Sequence, residues 1–361
     1  MHLTRLRTVG FRNLSGDALD VDAPLVAFVG GNGQGKTNLL EAVGVLGTLK
    51  SFRTSRVAEV IRHGDDRADV EGVGESEGFT RTWRWSFGEG ARGLRRDDRV
   101  VDALAWLRSL RATTFAPADT ALVRGEPALR RALLDRAVMT IRPDYLGPAR
   151  DLRRILEHKS ALLRASGDDA ALDVLDEQLV AVGARVSVAR SAAVRRLRPL
   201  FQTIYADLSD GESADVAYEC SLGDPHDALF EAEFAARLAR ARRQERALRR
   251  PLAGPQRDDV AFLVRGAPAR AFASQGQARS VVLAWKLAEL AVAREDGEAP
   301  MFLLDDLGSE LDPDRTARLV RHVRGFGAQV FLTTTDARFL PEGAAARVYT
   351  VVGGAVRAVE A

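Results

Sequence analysis

Apolar and polar positions divide the chain into stretches of different period. Near the N-terminus, residues 3–9 and 18–21 predict two short strands around Phe11-Arg12-Asn13-Leu14. Leu25-Val26-Ala27-Phe28-Val29 is an unbroken apolar run, the pattern of a strand buried on both faces of a parallel sheet. Glycines end it, and Asn38-Leu39-Leu40-Glu41-Ala42-Val43 opens a helix. Residues 66–101 alternate and carry Gly-rich turns, which predicts an antiparallel hairpin or meander. From about Asp119 to about Arg250 strand signals nearly vanish, and Ala, Leu, Arg and Glu recur at helical spacing. Residues 172–205 predict one or two long helices, with Pro199 the only proline. After Pro255 the mixed pattern returns. It predicts a hairpin around Gly266 (260–264 with 270–272), a helix from Gly276 to about Ala293, a strand at 301–304, a helix from about Pro313, and strands at 329–332 and 348–352. The expected fold is an α/β domain made of 1–118 and 255–361, split by a mostly helical insertion over 119–254. Even 30 helical residues span only about 45 Å, so the insertion is a lobe with a short arm.

Composition narrows the class. With 361 residues, 46% hydrophobic and 28% charged, the chain can bury a large core and is neither disordered nor fibrous. No apolar run approaches the ~20 residues of a membrane span, and Met1-His2-Leu3-Thr4-Arg5 lacks a secretory pattern, so a cytoplasmic protein without membrane contact is expected. The single cysteine, Cys220, forbids an internal disulfide, and five scattered histidines offer no zinc spacing. A net charge of +2 leaves nucleic-acid binding open. Of the 52 basic residues only Lys36, Lys50, Lys159 and Lys286 are lysines. A GC-rich genome produces that bias by itself, so clustering of arginine needs its own argument.

Two motifs carry chemistry directly. Gly30-Gly31-Asn32-Gly33-Gln34-Gly35-Lys36-Thr37 matches G-x-x-x-x-G-K-[ST] between a buried strand and a helix. Its backbone N–H groups close around phosphates, the helix N-terminus adds its positive end, Lys36 neutralises β/γ oxygens and Thr37 reaches Mg²⁺. The apolar strand Met301-Phe302-Leu303-Leu304 ends in Asp305-Asp306. On a strand next to the loop, Asp305 would reach the metal's water shell and Asp306 would orient an attacking water. Two further segments are weaker alone. Ser274-Gln275-Gly276-Gln277 opens a helix, where a Ser is either a plain N-cap or something more, and Ser309-Glu310-Leu311-Asp312 follows the aspartates.

In chain order (30–37, 274–277, 305–306, 309–312) the four segments resemble the ATP-binding-cassette heads that also occur in chromosome-maintenance proteins. Within that superfamily the chain resembles the RecF family of bacterial recombination mediators. The likeness runs essentially end to end: 10–14, 30–41, Phe115-Ala116-Pro117-Ala118-Asp119, 130–136, Gly254-Pro255-Gln256-Arg257-Asp258-Asp259, 274–277, 303–312 and Thr333-Thr334-Thr335-Asp336. It departs at Gln256, Ala278 and Gly308.

The resemblance implies an ABC-type P-loop ATPase head, a mixed sheet with flanking helices and an inserted helical lobe, using ATP and Mg²⁺. It implies an ATP-dependent homodimer in which the signature Ser274 and Gly276 complete the nucleotide site of a second copy, with Gln275, Gln277 and Asp312 also nucleotide-binding. By analogy with related heads, Arg12 and Asn13 also belong to the nucleotide. Transport cassettes usually carry Glu where this chain has Asp306, and a His near 333–336. The shorter acid and missing imidazole imply slow hydrolysis, with ATP mainly a dimerisation clamp; the resemblance implies that this weak ATPase is DNA-dependent. The family implies DNA at single-strand gaps or junctions, and RecR- and RecO-like partners that help RecA replace single-strand-binding protein.

Candidate DNA contacts follow from helical spacing. Arg237, Arg240, Arg243, Arg246 and Arg250 fall largely on one face of a helix whose other face carries Phe230, Phe234, Leu238 and Ala241. Such a stripe is either a sequence-independent phosphate contact or a solvated Arg-rich face. Arg53 with Arg56, Arg95 with Arg96 and Arg153 with Arg154 are lesser candidates. Interleaved aromatics are absent, which favours duplex or junction backbone over base reading. Two other readings stand beside this one: the ATPase subunit of a transporter, and a chromosome-condensing head. The first is disfavoured by the missing L-S-G-G-Q and switch His, the second by the missing long arms.

Overall fold

The computed structural model describes residues 1–54, 56–88, 93–165, 167–306, 313–340 and 346–359. The chain divides into two compact units: Met1–Thr120, Asp207–Gly211 and Val282–Ala361 form the first, Ala121–Ala206 and Glu212–Val281 the second.

In the first unit, strands β1 (His2–Val9), β2 (Ala18–Asp20), β4 (Arg67–Ser76), β5 (Phe79–Gly88), β6 (Gly93–Arg96) and β7 (Arg99–Val100) form an antiparallel sheet ordered β2-β1-β4-β5-β6-β7. A second sheet is ordered β15-β14-β3-β13-β12-β8, from β3 (Leu25–Val29), β8 (Ala112–Phe115), β12 (Met301–Leu304), β13 (Val330–Thr334), β14 (Ala346–Val352) and β15 (Ala355–Ala358). Its neighbours are parallel from β14 to β8, and β15 returns as an antiparallel hairpin. Helix α1 (Lys36–Thr48) packs on β8, β12 and β13, and β12 and β13 are buried along their whole length. Buried Gln329 ties the two sheets together. Its Oε1 accepts from Leu3 N at 2.7 Å, and its Nε2 donates to the carbonyls of Leu3, Val21 and Ala23 at 2.8, 2.9 and 3.2 Å. Helix α2 (Ala103–Ser109) seats Trp106, whose indole N–H donates to Leu46 O at 2.7 Å. A buried indole with its partner adds apolar area at no polar cost.

The second unit contains α3 (Ala121–Arg124), α4 (Pro127–Ile141), α5 (Leu146–Arg164), most of α6 (Asp169–Leu208) and α7 (Phe230–Leu248). A small sheet β11-β10-β9 follows, from β9 (Ala214–Glu219), β10 (Asp259–Val264) and β11 (Ala267–Pro268), then α8 (Ala269–Phe272) and the start of α9 (Gln275–Glu295). Helix α10 (Pro313–Phe326) lies in the first unit. The long segment is one 40-residue helix that runs through Pro199. Lys159 ties α5 to its neighbours: fully buried, it places Nζ 2.6 Å from Asp176 on α6 and 2.7 Å from Glu245 on α7.

Three expectations differ. Residues 214–219 form a strand inside the helical stretch, because β10 supplies a partner from Asp259↔Glu219 to Val264↔Ala214. That pairing places 255–281 in the second unit, whereas the sequence pattern begins the returning head at Pro255. The hairpin turns at Arg265 (φ 51°) and Gly266 (φ 76°) as expected, but its return strand is only β11; residues 270–272 are helical. Among the described residues no helix is long and apolar enough to cross a membrane.

Candidate functional site

β3 delivers the chain into the phosphate loop at the C-terminal edge of the parallel sheet, where open α/β sheets place their ligands. Gly30 is pressed against β14: a Cβ there would collide with Val351 O. Gly35 holds φ 109°, and a Cβ would lie 2.9 Å from Asn13 Oδ1, so only glycine fits both backbone and space. Gln34 fastens the loop to the β14–β15 turn, accepting from Gly353 N through Oε1 and from Gly354 N through its carbonyl, both at 2.8 Å. No side chain caps α1, so its first N–H groups face the loop as an anion site. Buried Lys36 donates to Gly31 O at 2.8 Å, closing its ammonium across the same space.

Thr37 Oγ1 donates to Asp305 Oδ1 at 2.9 Å, so the loop and the paired-aspartate strand meet at one point. They are not adjacent strands. β13 lies between β3 and β12, and its Thr333 bridges the gap: Oγ1 donates to Asp305 Oδ1 at 2.7 Å and accepts from Asp306 N at 2.8 Å. Burial raises the Asp305 carboxyl above the usual range. The Thr333 and Thr37 hydroxyls oppose that, and the charge of Asp306 adds to it. Asp306 sits in the left-handed region at φ 56°, a strained conformation for a non-glycine residue. Thr37 and Asp305 present two hard oxygens, the donor chemistry Mg²⁺ takes together with phosphate and water. Among the described residues no cluster of three His, Cys, Asp or Glu side chains forms a separate metal site.

The sequence-predicted Arg12 and Asn13 lie beside the loop, each already engaged. Asn13 Oδ1 accepts from Asn38 Nδ2 at 2.7 Å. Arg12 forks onto fully buried Glu41 through Nε at 3.0 Å and Nη2 at 2.8 Å. Glu41 also accepts from Ser51 Oγ at 2.5 Å and Arg53 Nη1 at 3.4 Å, and Arg53 reaches Asn38 Oδ1 at 2.6 Å. Sequence reasoning missed Glu41 and Ser51 and took Arg53 only as a weak DNA candidate. The available signal was a lone carboxylate inside the apolar run Leu39-Leu40-Glu41-Ala42-Val43.

Ser274–Gln277 belongs to the second unit, at the head of α9. Ser274 N donates to Gln277 Oε1 at 2.8 Å and Gln277 N donates to Ser274 Oγ at 3.1 Å, a reciprocal capping box. Ser274 and Gln275 are exposed, Gly276 half-buried. Ser309, Glu310, Leu311 and Asp312 lie outside the described residues, as does Gly308. Gln256 donates to Ala253 O at 2.8 Å in its own turn, and Ala278 is buried.

The other motifs are structural. Arg130 forks onto Asp259 at 2.8 and 2.6 Å, and Arg190 onto Asp135 at 2.8 and 3.0 Å. Buried Asp258 accepts from Ser221 N at 2.8 Å and from the Tyr218 hydroxyl.

On α7, Phe230, Phe234 and Leu238 are buried and Arg240 and Arg243 exposed; Arg250, expected on the same helical face, is exposed but lies past the helix end, because the chain turns left-handed at Arg249 (φ 53°). Arg246 is committed to Asp169 and the Gly167 carbonyl, and Arg240 lies 3.8 Å from Glu233. Arg153 and Arg154 pair with Glu157 and Asp151, and Arg95 donates to Asp98 O.

No family model matches the chain. Among curated proteins it is 37% identical over 341 residues to the DNA replication and repair protein RecF of Geobacter sulfurreducens, covering 93% of each. It is 39% identical over 366 residues to that of Anaeromyxobacter sp. (strain Fw109-5), covering 99% of each. Among solved structures it resembles the recombination mediator protein RecF described with ATPrS in the RecFOR pathway, with TM-score 0.91, 26% identity and coverage of 99% and 98%. An Smc head domain derived from Pyrococcus furiosus shares the fold alone, at TM-score 0.59 and 17% identity. Identity at this level, sustained from one end of the chain to the other, exceeds what a shared head fold accounts for, and the chain belongs to the RecF family.

Proposed function

We propose that this chain is an ATP-binding protein of DNA replication and repair whose ATP-dependent pairing holds DNA at single-strand gaps or junctions. The observation that carries the reading is the 2.9 Å bond from Thr37 to Asp305, which joins a phosphate loop to a carboxylate strand 268 residues away. The RecF relative described with ATPrS supports ATP as the nucleotide. When bound, MgATP supplies a triphosphate and a metal that neutralises it. Thr37 and Asp305 would hold the metal, the first N–H groups of α1 would bind phosphate, and Lys36 would exchange the Gly31 carbonyl for phosphate oxygens. Asp306 orients the attacking water. Its reach is one methylene shorter than a glutamate's, so hydrolysis is slow and serves as release.

Ser274, Gln275, Gly276 and Gln277, with Asp312, close the site of a second copy, and a symmetric pair buries two such sites. The RecFOR pathway named for the relative supports RecO- and RecR-like partners, and the family resemblance adds RecA loading and a cytoplasmic location to the proposal. Family membership sets aside the transporter and chromosome-condensing readings.

Sedimentation and retention of gapped DNA with ATP, with ADP and without nucleotide test this. Pairing and retention are expected with ATP alone and lost in Lys36→Met. Equal association with ADP, or without nucleotide, overturns it.

A further inference from the structure

The Ser274 turn is held from inside its own unit by a carboxylate that belongs to none of the motifs. Gln277 uses both ends of its amide: Oε1 accepts from Ser274 N, and Nε2 donates to Glu212 Oε1 at 2.8 Å. Glu212 is itself fixed, accepting from the Tyr205 hydroxyl at 2.6 Å and lying 2.7 Å from Arg265 Nε, with its side chain 10% exposed. A carboxylate accepts only, so the Gln277 NH₂ must face Glu212 and its carbonyl oxygen must face Ser274. That orientation closes the capping box. Within the box Ser274 Oγ only accepts, from Gln277 N, which leaves its O–H free to donate to an anionic oxygen outside the subunit. Arg124 holds the preceding carbonyl, Ala273 O, from α3.

We infer that Glu212 is a positioning residue: it locks the Gln277 amide so that the Ser274 hydroxyl is presented as a donor to the nucleotide held by a second copy. The inference rests on the reading of 274–277 as the second half of that site. Losing the lock costs about tenfold per turn, the effect of one charge-assisted hydrogen bond. A symmetric pair uses the turn twice, so association falls by about a hundredfold.

The test uses the full chain. ATP-dependent pairing is measured by analytical ultracentrifugation, and nucleotide affinity by titrating dilute monomer with a fluorescent ATP analogue. Glu212→Ala is expected to weaken pairing about a hundredfold while analogue affinity stays within about twofold of wild type. Glu212→Gln recovers most of the pairing, because its amide oxygen still accepts from Gln277 and its NH₂ can face the Tyr205 oxygen. Tyr205→Phe, which leaves the turn untouched, gives a several-fold loss and serves if the alanine variant does not fold. Adding Glu212→Ala to Gln277→Ala gives no further loss, since both remove one interaction. Glu212→Ala pairing like wild type, or effects that simply add, overturns the inference and leaves the functional reading standing. So does a loss that glutamine does not repair and that lowers analogue affinity equally. Wild-type protein that stays monomeric with ATP overturns the reading itself, and this inference with it.

Discussion

Asp305 is a residue whose usefulness and whose contribution to stability pull in opposite directions. Its carboxyl is buried, and burial shifts it toward the neutral form; the two threonine hydroxyls offset only part of that. Asparagine keeps an oxygen that accepts from Thr37 and Thr333 and removes the charge. Asp305→Asn is therefore expected to melt, without nucleotide, no lower than wild type at pH 8, while hydrolysing ATP at least about a hundredfold more slowly. A thermal scan and a phosphate-release assay check both halves; a clear drop in melting temperature would show that the charge stabilises the fold. Asp305, Lys36 and Thr37 were legible in the sequence because their chemistry needs fixed spacing beside a strand and a helix. Thr333 as their bridge was not, because which strand lies between β3 and β12 is a matter of topology. Glu41 was hidden differently: a carboxylate in an apolar run declares burial only once Arg12 and Arg53 arrive from elsewhere in the chain.

Ion pairs as well as apolar faces join the elements of the second unit. Removing Lys159 leaves Asp176 and Glu245 buried without their shared cation, so Lys159→Met is expected to destabilise that unit by about 3–5 kcal/mol. Far-UV ellipticity is the measurement, because Trp83, Trp85, Trp106 and Trp285 all lie in the first unit and report on that one. The Arg130–Asp259 fork acts at the junction of α4 and β10. Burial, the largest single influence, raises the Asp259 carboxyl, but the Arg130 fork, the Val260 N–H and the charge of Arg131 together outweigh it and the net shift is downward. A depressed carboxylate contributes stability above its unfolded value of about 3.9 and loses it as pH falls through the folded one. Arg130→Met therefore moves the acid transition of the unit upward, toward pH 4, and an unchanged acid midpoint counts against the assignment. The same unit shows the limit of pattern reading. A long helical stretch over 172–205, as one helix or two, was legible because nothing but Pro199 interrupts its period; that it is a single 40-residue helix was not. β9 was not: Ala214, Val216 and Tyr218 alternate for only six residues in Arg- and Ala-rich surroundings, and they become a strand because β10, some forty residues later, supplies the partner.

At the scale of the whole molecule, a net charge of +2 gives no long-range pull toward DNA, so any affinity must come from local groups of arginine. The structure sorts the candidates on and just after α7 by what already neutralises them. Arg242 answers Asp173 and Asp176, and Arg246 answers Asp169, so these charges are spent on tying α7 to α6. Arg243 and Arg250 are exposed, and among the described residues no carboxylate lies within ion-pair distance of either. Each phosphate contact contributes about 0.9 to the slope of log affinity against log salt, and a pair of copies doubles it. Anisotropy of a labelled gapped duplex with ATP, at several salt concentrations, should then show Arg243→Gln and Arg250→Gln each lowering the slope by up to about 1.8. Arg246→Gln should leave the slope alone and lower the melting temperature instead, because it breaks an internal pair. If the slope is the same in all three variants, the stripe is a solvated face and the phosphate contacts lie on other arginines. If only Arg246→Gln changes it, the Asp169 pair opens on DNA, and α7 meets the backbone with the residues that now hold it to α6.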